Sequence, residues 1–283
     1  MLYQVTQGQR DDEAYKGMMN TLMARVFGFT FEKWYALNKW DERYECYSII
    51  DSGRILSNVS LTKMTLLVGG KPIKAIQLGA IATLPGYRGQ GLSRRIMEYV
   101  LAKYQETPAF LFANRSVLDF YPKFGFKLVG EVQPYLKLEH PLRGGYCANL
   151  SLDSPTLSRL VEERSRFSNI VDVIDADSIN WFHIVMEFED DIYYLPHLDT
   201  AIIAVQEEST LYVYDVISTR NVRWEDIYRC LPFIGCDIVE FAFMPDALGC
   251  DYNTCPDGQG NGYLFSRGLE FSADTRFPYM ATT

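Results

Sequence analysis

Apolar positions change their spacing along the first half of the chain, and the changes mark separate elements. Between Asp11 and Val26 the apolar side chains recur three or four residues apart, which predicts an amphipathic helix. The same test predicts further helices at 29–40, 93–104 and 114–123, and strands at 44–50, 55–68, 73–84, 109–113, 126–129 and 135–138. Hairpins join antiparallel strands, whereas helical crossovers favour parallel ones. The order therefore predicts an α/β fold around a mixed sheet.

The second half repeats this order with little sequence similarity. After a break at 140–145, it predicts helices at 155–167, 177–186 and 222–231, and strands at 192–195, 200–205, 211–217, 238–243 and 262–266. A repeated order of elements suggests a diverged internal duplication. We therefore expect two domains, residues 1–140 and residues 141–283.

A glycine-rich turn between a strand and a helix is the most informative stretch of the chain. It runs Arg88, Gly89, Gln90, Gly91 and leads directly into the helix. Glycines let the backbone approach a ligand closely, and the first N–H groups of a helix have no partner within it. Such a turn can bind phosphate, although an ordinary strand-to-helix connection would fit the glycines equally well. The corresponding turn of the second half, 218–222, has no glycine, so a phosphate site is predicted only in the first half.

Charge is unevenly distributed over the two halves. The net charge of −9 divides into about +5 for residues 1–140 and about −14 for residues 141–283, which contain no lysine. This argues against nucleic acid as a partner of the second half. An acidic surface could gather a cationic substrate, or it could simply be solvated.

Other composition signals bound the class of protein. No apolar run reaches the ~18 residues of a membrane span, and the N-terminus does not resemble a signal peptide. The six cysteines and three histidines lack the spacing of metal ligands. We therefore expect a soluble cytoplasmic protein with reduced thiols, no metal and no membrane partner.

Two motifs resemble the GNAT superfamily of N-acetyltransferases. The run Arg88-Gly89-Gln90-Gly91-Leu92-Ser93 resembles its Gln/Arg-x-x-Gly-x-Gly/Ala signature, except that Ser93 replaces Gly or Ala. Asn114 and the run from Tyr121 to Phe126 resemble its Asn…Tyr-x-Lys-x-Gly-Phe segment. The resemblance covers roughly residues 1–140, which look similar to the N-terminal domain of the Eis-like acetyltransferases. Residues 141–283 look like the degenerate GNAT-like partner domain of tandem members.

The resemblance implies acetyl-CoA as the acetyl donor and assigns roles to particular residues. Backbone N–H groups of residues 88–93 would bind the pyrophosphate, and Tyr121 would be the general acid beside the sulfur. The strand end Ile81-Ala82-Thr83 would offer its backbone to the pantetheine arm. Asn114 would either hydrogen-bond that arm or cap the following helix.

The sequence leaves the general base and the acceptor open. In Eis-like enzymes the C-terminal carboxylate reaches the active site, which makes the Thr283 carboxylate a candidate base; Glu45, Gln77 and Asp119 are positional alternatives. The expected reaction is direct attack on the thioester of acetyl-CoA by the primary amine of a small cationic molecule, within a ternary complex. A protein or peptide amine is the alternative acceptor, and an acyl-CoA sensor without turnover is the alternative function. The second domain could serve as a lid, as structural support or as the interface of a homo-oligomer.

Overall fold

Two mixed β-sheets and a few helices make up the fold in this computed structural model, which describes residues 3–257 and 262–283. The helices are α1 Glu13–Phe27, α2 Glu32–Ala36, α3 Leu92–Lys103, α4 Pro155–Glu163, α5 Asp177–Glu187 and α6 Trp224–Tyr228. The strands are β1 Val5–Gln7, β2 Tyr44–Asp51, β3 Arg54–Val68, β4 Lys71–Thr83, β5 Ala109–Ala113, β6 Lys127–Leu128, β7 Val132–Lys137, β8 Ala148–Asn149, β9 Val171–Val173, β10 Ile192–Leu195, β11 Thr200–Glu207, β12 Thr210–Ser218, β13 Ile238–Phe241, β14 Asn253–Pro256 and β15 Tyr263–Arg267. Within these ranges, no helix has both the length and the apolarity needed to cross a bilayer.

The first sheet has the order β1-β2-β3-β4-β5-β15-β6, and β9 pairs with β3. The pairs β1–β2, β2–β3 and β3–β4 are antiparallel, whereas β4 and β5 are parallel because α3 connects them. The predicted mixed sheet and α/β class are therefore confirmed.

The second sheet has the order β14-β7-β13-β12-β11-β10-β8 and repeats this plan. An antiparallel run ends in the parallel pair β12 and β13, with α6 between them in the chain. The halves also exchange a strand: β15 enters the first sheet between β5 and β6, and β7 enters the second between β13 and β14. The sheets consequently do not divide at residue 140, and the assignment of 1–140 and 141–283 to two domains stays a prediction.

Helix α1 shows why the apolar spacing was informative. Its buried residues Tyr15, Met19, Leu22 and Met23 lie on one face. The Asp12 carboxylate accepts hydrogen bonds from the N–H groups at its start, which would otherwise have no partner. The helix ends at a C-cap glycine with φ of 83°. Both ends of α1 are thus set by local sequence.

One core joins the two halves where α1 and α2 meet α5. Trp34 and Trp181 are fully buried in it, and the Trp34 indole donates to the Ser178 carbonyl at 3.0 Å. At its edge, Arg43 forms a salt bridge with Asp177 at 2.7 Å. Helix α5 is therefore held firmly against the first half.

Several predicted elements differ from the structure. Residues 114–123 form two 3-10 turns, Arg115–Val117 and Tyr121–Phe124, instead of one helix. Pro122 has no N–H group for a longer helix, and Gly125 ends the second turn with φ of 82°. Helix α6 is also shorter than the predicted 222–231. The short strands β1, β8, β9 and β14 were not predicted, because two to four residues show no clear period.

Candidate active site

A cavity of about 930 Å³ opens where β4 and β5 separate. Their parallel pairing runs only from Ile76 to Leu78 on β4. Beyond it, Ala80 has φ of 44° and the register of β4 against β3 shifts by a bulge. The edge of β4 from residue 79 to residue 83 therefore faces the cavity instead of a neighbouring strand. The start of α3, the α1–α2 segment and α5 complete the walls.

The predicted glycine turn lies at one end of this cavity. Gly89 and Gly91 both have φ of 76°, a backbone conformation that residues with a side chain rarely adopt. The first helical hydrogen bond of α3 runs from the Arg95 N–H to the Gly91 carbonyl, at 3.1 Å. The N–H groups of residues 92–94 therefore have no partner within the helix and are available to an anion.

Most residues of the predicted cofactor site line the cavity. They are Ile81, Ala82, Thr83, Arg88, Gly89, Gly91, Leu92, Ser93 and Asn114. Gln90, which was included in the prediction, is exposed and does not line it. Arg94 reaches the cavity and Arg95 does not. The Arg88 guanidinium donates to the Thr83 carbonyl at 3.2 Å, which ties the turn to the end of β4.

Ser93, which departs from the family signature, is held by two other hydroxyl groups. Its Oγ lies 2.7 Å from Thr83 Oγ1 and 3.3 Å from Ser57 Oγ. Ser57 in turn donates to the Ala82 carbonyl at 3.0 Å. The N-cap of α3 is Gly91, so Ser93 does not cap the helix. Its hydroxyl instead fixes the start of α3 against the end of β4.

Asn114 and Tyr121 reach the cavity from the loop that follows β5. Asn114 occupies the N-cap position of a 3-10 turn, but its side chain makes no capping hydrogen bond. The capping alternative is therefore not observed, and a contact of Asn114 with the cofactor arm stays a prediction. Tyr121 is only 5% exposed, and burial raises the pKa of its phenol to about 12. The phenol therefore keeps its proton at neutral pH.

Thr283 enters the cavity from a segment that is distant in sequence from the other walls. Thr283 lines the cavity and lies directly against Gly79. With its amide oxygen turned toward Thr283, the buried Gln77 accepts from the Thr283 N–H at 2.9 Å and donates to the Ala281 carbonyl at 3.0 Å. Gln77 thus holds the segment in place, a role that the sequence did not indicate. Glu45 and Asp119, the other positional candidates for the base, do not line the cavity.

Helix α5 supplies further anchors that were not predicted. His183 Nε2 lies 2.8 Å from the Thr282 carbonyl, and its Nδ1 lies 2.9 Å from Glu187 Oε1. Asn180 donates to the Met280 carbonyl at 2.6 Å. Burial alone would raise the pKa of Glu187, but hydrogen bonds from His183 and Tyr279 lower it overall. Glu187 is therefore ionised at neutral pH, and it lines the cavity.

An aromatic wall forms the side of the cavity made by the α1–α2 segment, β2 and α5. Its members are Phe27, Phe29, Phe31, Trp34, Tyr44 and Phe182. The periodic pattern placed several of them in helices or strands, but no local signal showed that they would meet. Site residues contributed by distant elements were consequently the ones that the sequence missed.

Comparison with known proteins agrees with this geometry. Residues 11–129 match the acetyltransferase (GNAT) domain family. No curated protein sequence matches the chain significantly.

Solved structures with the same fold span nearly the whole chain. A probable N-acyltransferase of unknown function from Enterococcus faecalis is 16% identical, with a TM-score of 0.60 over 94% of this chain and 73% of that one. A GCN5-related N-acetyltransferase from Anabaena variabilis is 13% identical, with a TM-score of 0.58 over 93% and 72%. Eis1 from Mycobacterium abscessus is 17% identical, with a TM-score of 0.52 over 85% and 65%. At these identities the likeness concerns the fold, and the domain match shows that residues 11–129, less than half of the chain, are similar to the acetyltransferase (GNAT) domain family.

Proposed function

We propose that this protein transfers the acetyl group of acetyl-CoA to the primary amine of a small molecule. One observation carries the proposal: a single cavity contains the start of α3, the open edge of β4 and the buried Tyr121. These are the groups needed to bind a diphosphate, to bind an amide-bearing arm and to protonate a leaving thiolate.

The residues present fit acetyl-CoA. N–H groups at the start of α3 suit the pyrophosphate, and Arg88 and Arg94 add positive charge at the same end of the cavity. The open edge of β4 suits the two amides of the pantetheine arm, as in the addition of a strand. Asn114 can add a side-chain hydrogen bond to that arm.

The chemistry would follow from the groups around the thioester. The amine nitrogen attacks the thioester carbonyl carbon, the C–N bond forms, and the C–S bond breaks with its electron pair going to sulfur. Tyr121 gives its proton to that sulfur, and the phenolate later recovers a proton from solvent. The thioester supplies an activated acetyl group when the donor is bound.

The amine must also lose a proton during the transfer. We assign this role to the Thr283 carboxylate, which requires Thr283 to be the last residue of the chain. The contacts of Thr283 with Gln77 and Gly79 support the assignment, because they hold residue 283 within the cavity. Extending the chain by two residues beyond Thr283 should abolish turnover while leaving acetyl-CoA binding intact.

Acetyl-CoA binding is tested first, by calorimetry. Arg88→Glu should abolish binding, because it places a carboxylate beside the phosphate groups. The matched control is Arg95→Glu, which adds the same charge on α3 at a residue that does not line the cavity. Unchanged affinity in Arg88→Glu, or equal losses in both variants, would remove the cofactor assignment.

Turnover is tested by the release of free CoA thiol with a panel of monoamines, polyamines, aminoglycosides and peptides. We expect release with at least one small amine. Release only with peptides would favour a protein or peptide acceptor. Binding of acetyl-CoA without release for any amine would favour a sensor instead of an enzyme.

A further inference from the structure

The charges that line the cavity differ from those that the acidic second half would suggest. Of the many acidic side chains in residues 141–283, Glu187 is the one that lines the cavity within the described ranges. The other charged side chains of the lining are Arg88 and Arg94, which belong to the cofactor turn and the start of α3. The negative charge of the second half is therefore not concentrated in the lining of this cavity.

The aromatic wall, and not a cluster of acidic side chains, forms one side of the cavity. Phe31 packs edge-on against Phe29 at 5.4 Å and against Phe182 at 5.7 Å between ring centroids, and Trp34 packs against Tyr44 at 5.2 Å. Each ring is thus fixed by its neighbours, so the surface is formed before any ligand binds. Phe27 is 41% exposed, and Phe29 and Phe182 are partly exposed. The wall therefore offers apolar surface to a ligand.

The wall adjoins the place where transfer would occur. Phe182 and His183 are consecutive on α5, and His183 binds the Thr282 carbonyl. The next residue, Thr283, lies against Gly79, two residues before the β4 segment 81–83. A molecule bound against the aromatic rings can therefore place its amine nitrogen near Thr283 and the open edge of β4.

The polar groups of the wall suit one ammonium group. Among the described residues, Glu187 is the one acidic side chain of the lining, and it already accepts hydrogen bonds from His183 and Tyr279. The Thr283 carboxylate, the other anionic group of the cavity under the proposed mechanism, is assigned to the reacting amine. A polyamine or aminoglycoside would have to place its additional ammonium groups against hydrocarbon, which disfavours burial of charge. A single ammonium is compatible with ring faces, and an apolar body gains by leaving water.

We infer that the acceptor is a monoamine whose primary amino group is carried on an aromatic or branched apolar body. This inference rests on the proposed acetyl transfer and narrows its acceptor. It narrows the small cationic acceptor expected from the sequence to one that carries a single ammonium group.

The test compares kcat/KM for 2-phenylethylamine, tryptamine, n-butylamine, spermidine and kanamycin in the thiol-release assay with the full chain. We expect the two aromatic monoamines to exceed spermidine and kanamycin by about tenfold or more. Equal or greater values for the polycations would overturn the acceptor class and leave the acetyltransferase proposal standing. Acetyl-CoA binding with no turnover of any amine would overturn the acetyltransferase proposal, and this inference with it.

Two variants test the wall itself. Phe27→Ala, at the exposed end of the wall, and Phe182→Leu, which keeps an apolar side chain, should raise KM for 2-phenylethylamine about tenfold and change n-butylamine less. The affinity for acetyl-CoA should be unchanged in both. Tyr146→Ala is the matched control, since Tyr146 is 81% exposed and lies outside the cavity. Unchanged KM for 2-phenylethylamine in both wall variants would contradict the inference.

Discussion

Gly79 and Thr283 are in direct contact, although about 200 residues separate them in the chain. A methyl group built on Gly79 would lie 2.8 Å from the backbone carbonyl carbon and oxygen of Thr283 and from its Oγ1. A methyl carbon cannot lie that close to a carbon or oxygen atom unless one of them moves. The absence of a side chain at residue 79 therefore allows residue 283 to occupy the cavity.

Gly79→Ala should displace Thr283 and lower kcat on the order of 10²-fold, because transfer depends on the position of the groups around the amine. Thermal unfolding and acetyl-CoA affinity should change little. The matched control is Gly17→Ala, where an added methyl group meets nothing within 4 Å. Full activity in Gly79→Ala would contradict the placement of Thr283 at the reaction site.

Tyr121→Phe should lower kcat by about 10²- to 10⁴-fold, since it removes the proton donor for the leaving thiolate. The affinity for acetyl-CoA, measured by calorimetry, should remain within about twofold of the wild-type value, because the ring stays in place. In the wild type, burial raises the pKa of Tyr121 to about 12, so the rate should not fall through loss of this proton below about pH 11. A Tyr121→Phe variant that retained wild-type kcat would assign the protonation step to another group.

His183→Ala should also lower kcat, because it removes the ring that holds the Thr282 carbonyl at 2.8 Å. We expect kcat to fall and the KM for the amine to rise. The affinity for acetyl-CoA should be unchanged, since His183 is remote in sequence from the glycine turn before α3 and does not line the cavity. His140→Ala serves as the control, because His140 is exposed. Equal activities of the two variants would show that the Gln77 and Asn180 contacts suffice to hold this segment.

Glu131→Gln should stabilise the protein at pH 8 and have little effect near pH 4.5. Burial raises the pKa of Glu131 from 4.5 to about 7, despite the nearby Arg276. The folded state therefore retains a proton that the unfolded state releases, so this group costs stability as the pH rises from about 4.5 to about 7. The cost should reach on the order of 3 kcal/mol above pH 7.

Glutamine has no proton to lose and keeps the oxygen that accepts from the Phe277 N–H, at 2.8 Å in the wild type. Urea unfolding at pH 8 and pH 4.5 gives the two free energies of unfolding, with the exposed Glu139→Gln as the control. A gain of the same size at both pH values would show that titration of Glu131 is not its source.

Local sequence was sufficient to predict the glycine turn before α3 and the position of Tyr121 in the loop after β5, both of which line the cavity. Gly89, Gly91 and Tyr121 lie within about 35 residues of one another, and the turn and helix around them follow from short-range rules. Gln90 was included because the motif contains it, although a motif does not show which of its side chains faces the ligand. The helix predicted at 114–123 was wrong because its apolar spacing also fits two short 3-10 turns, of which the second contains Pro122.

The rest of the site depends on contacts that no local pattern encodes. His183 lies on α5, which the periodicity predicted, but its partner Thr282 is about 100 residues away. Gln77 was predicted only as a positional candidate for the base, and no local pattern indicated its contacts with residues 281 and 283. The strands β7 and β15 were likewise predicted as strands, yet hydrophobic spacing does not specify which sheet a strand joins.

The strand exchange constrains the order in which the protein can be completed during synthesis. The first sheet contains β15, so residues up to 267 must leave the ribosome before β5 and β6 have their shared neighbour. Until then both strands have an unpaired edge that can associate with other chains. Thr283, which contacts Gly79 in the cavity, follows β15 in the chain and emerges later still. We therefore expect that neither half forms this cavity when it is expressed alone.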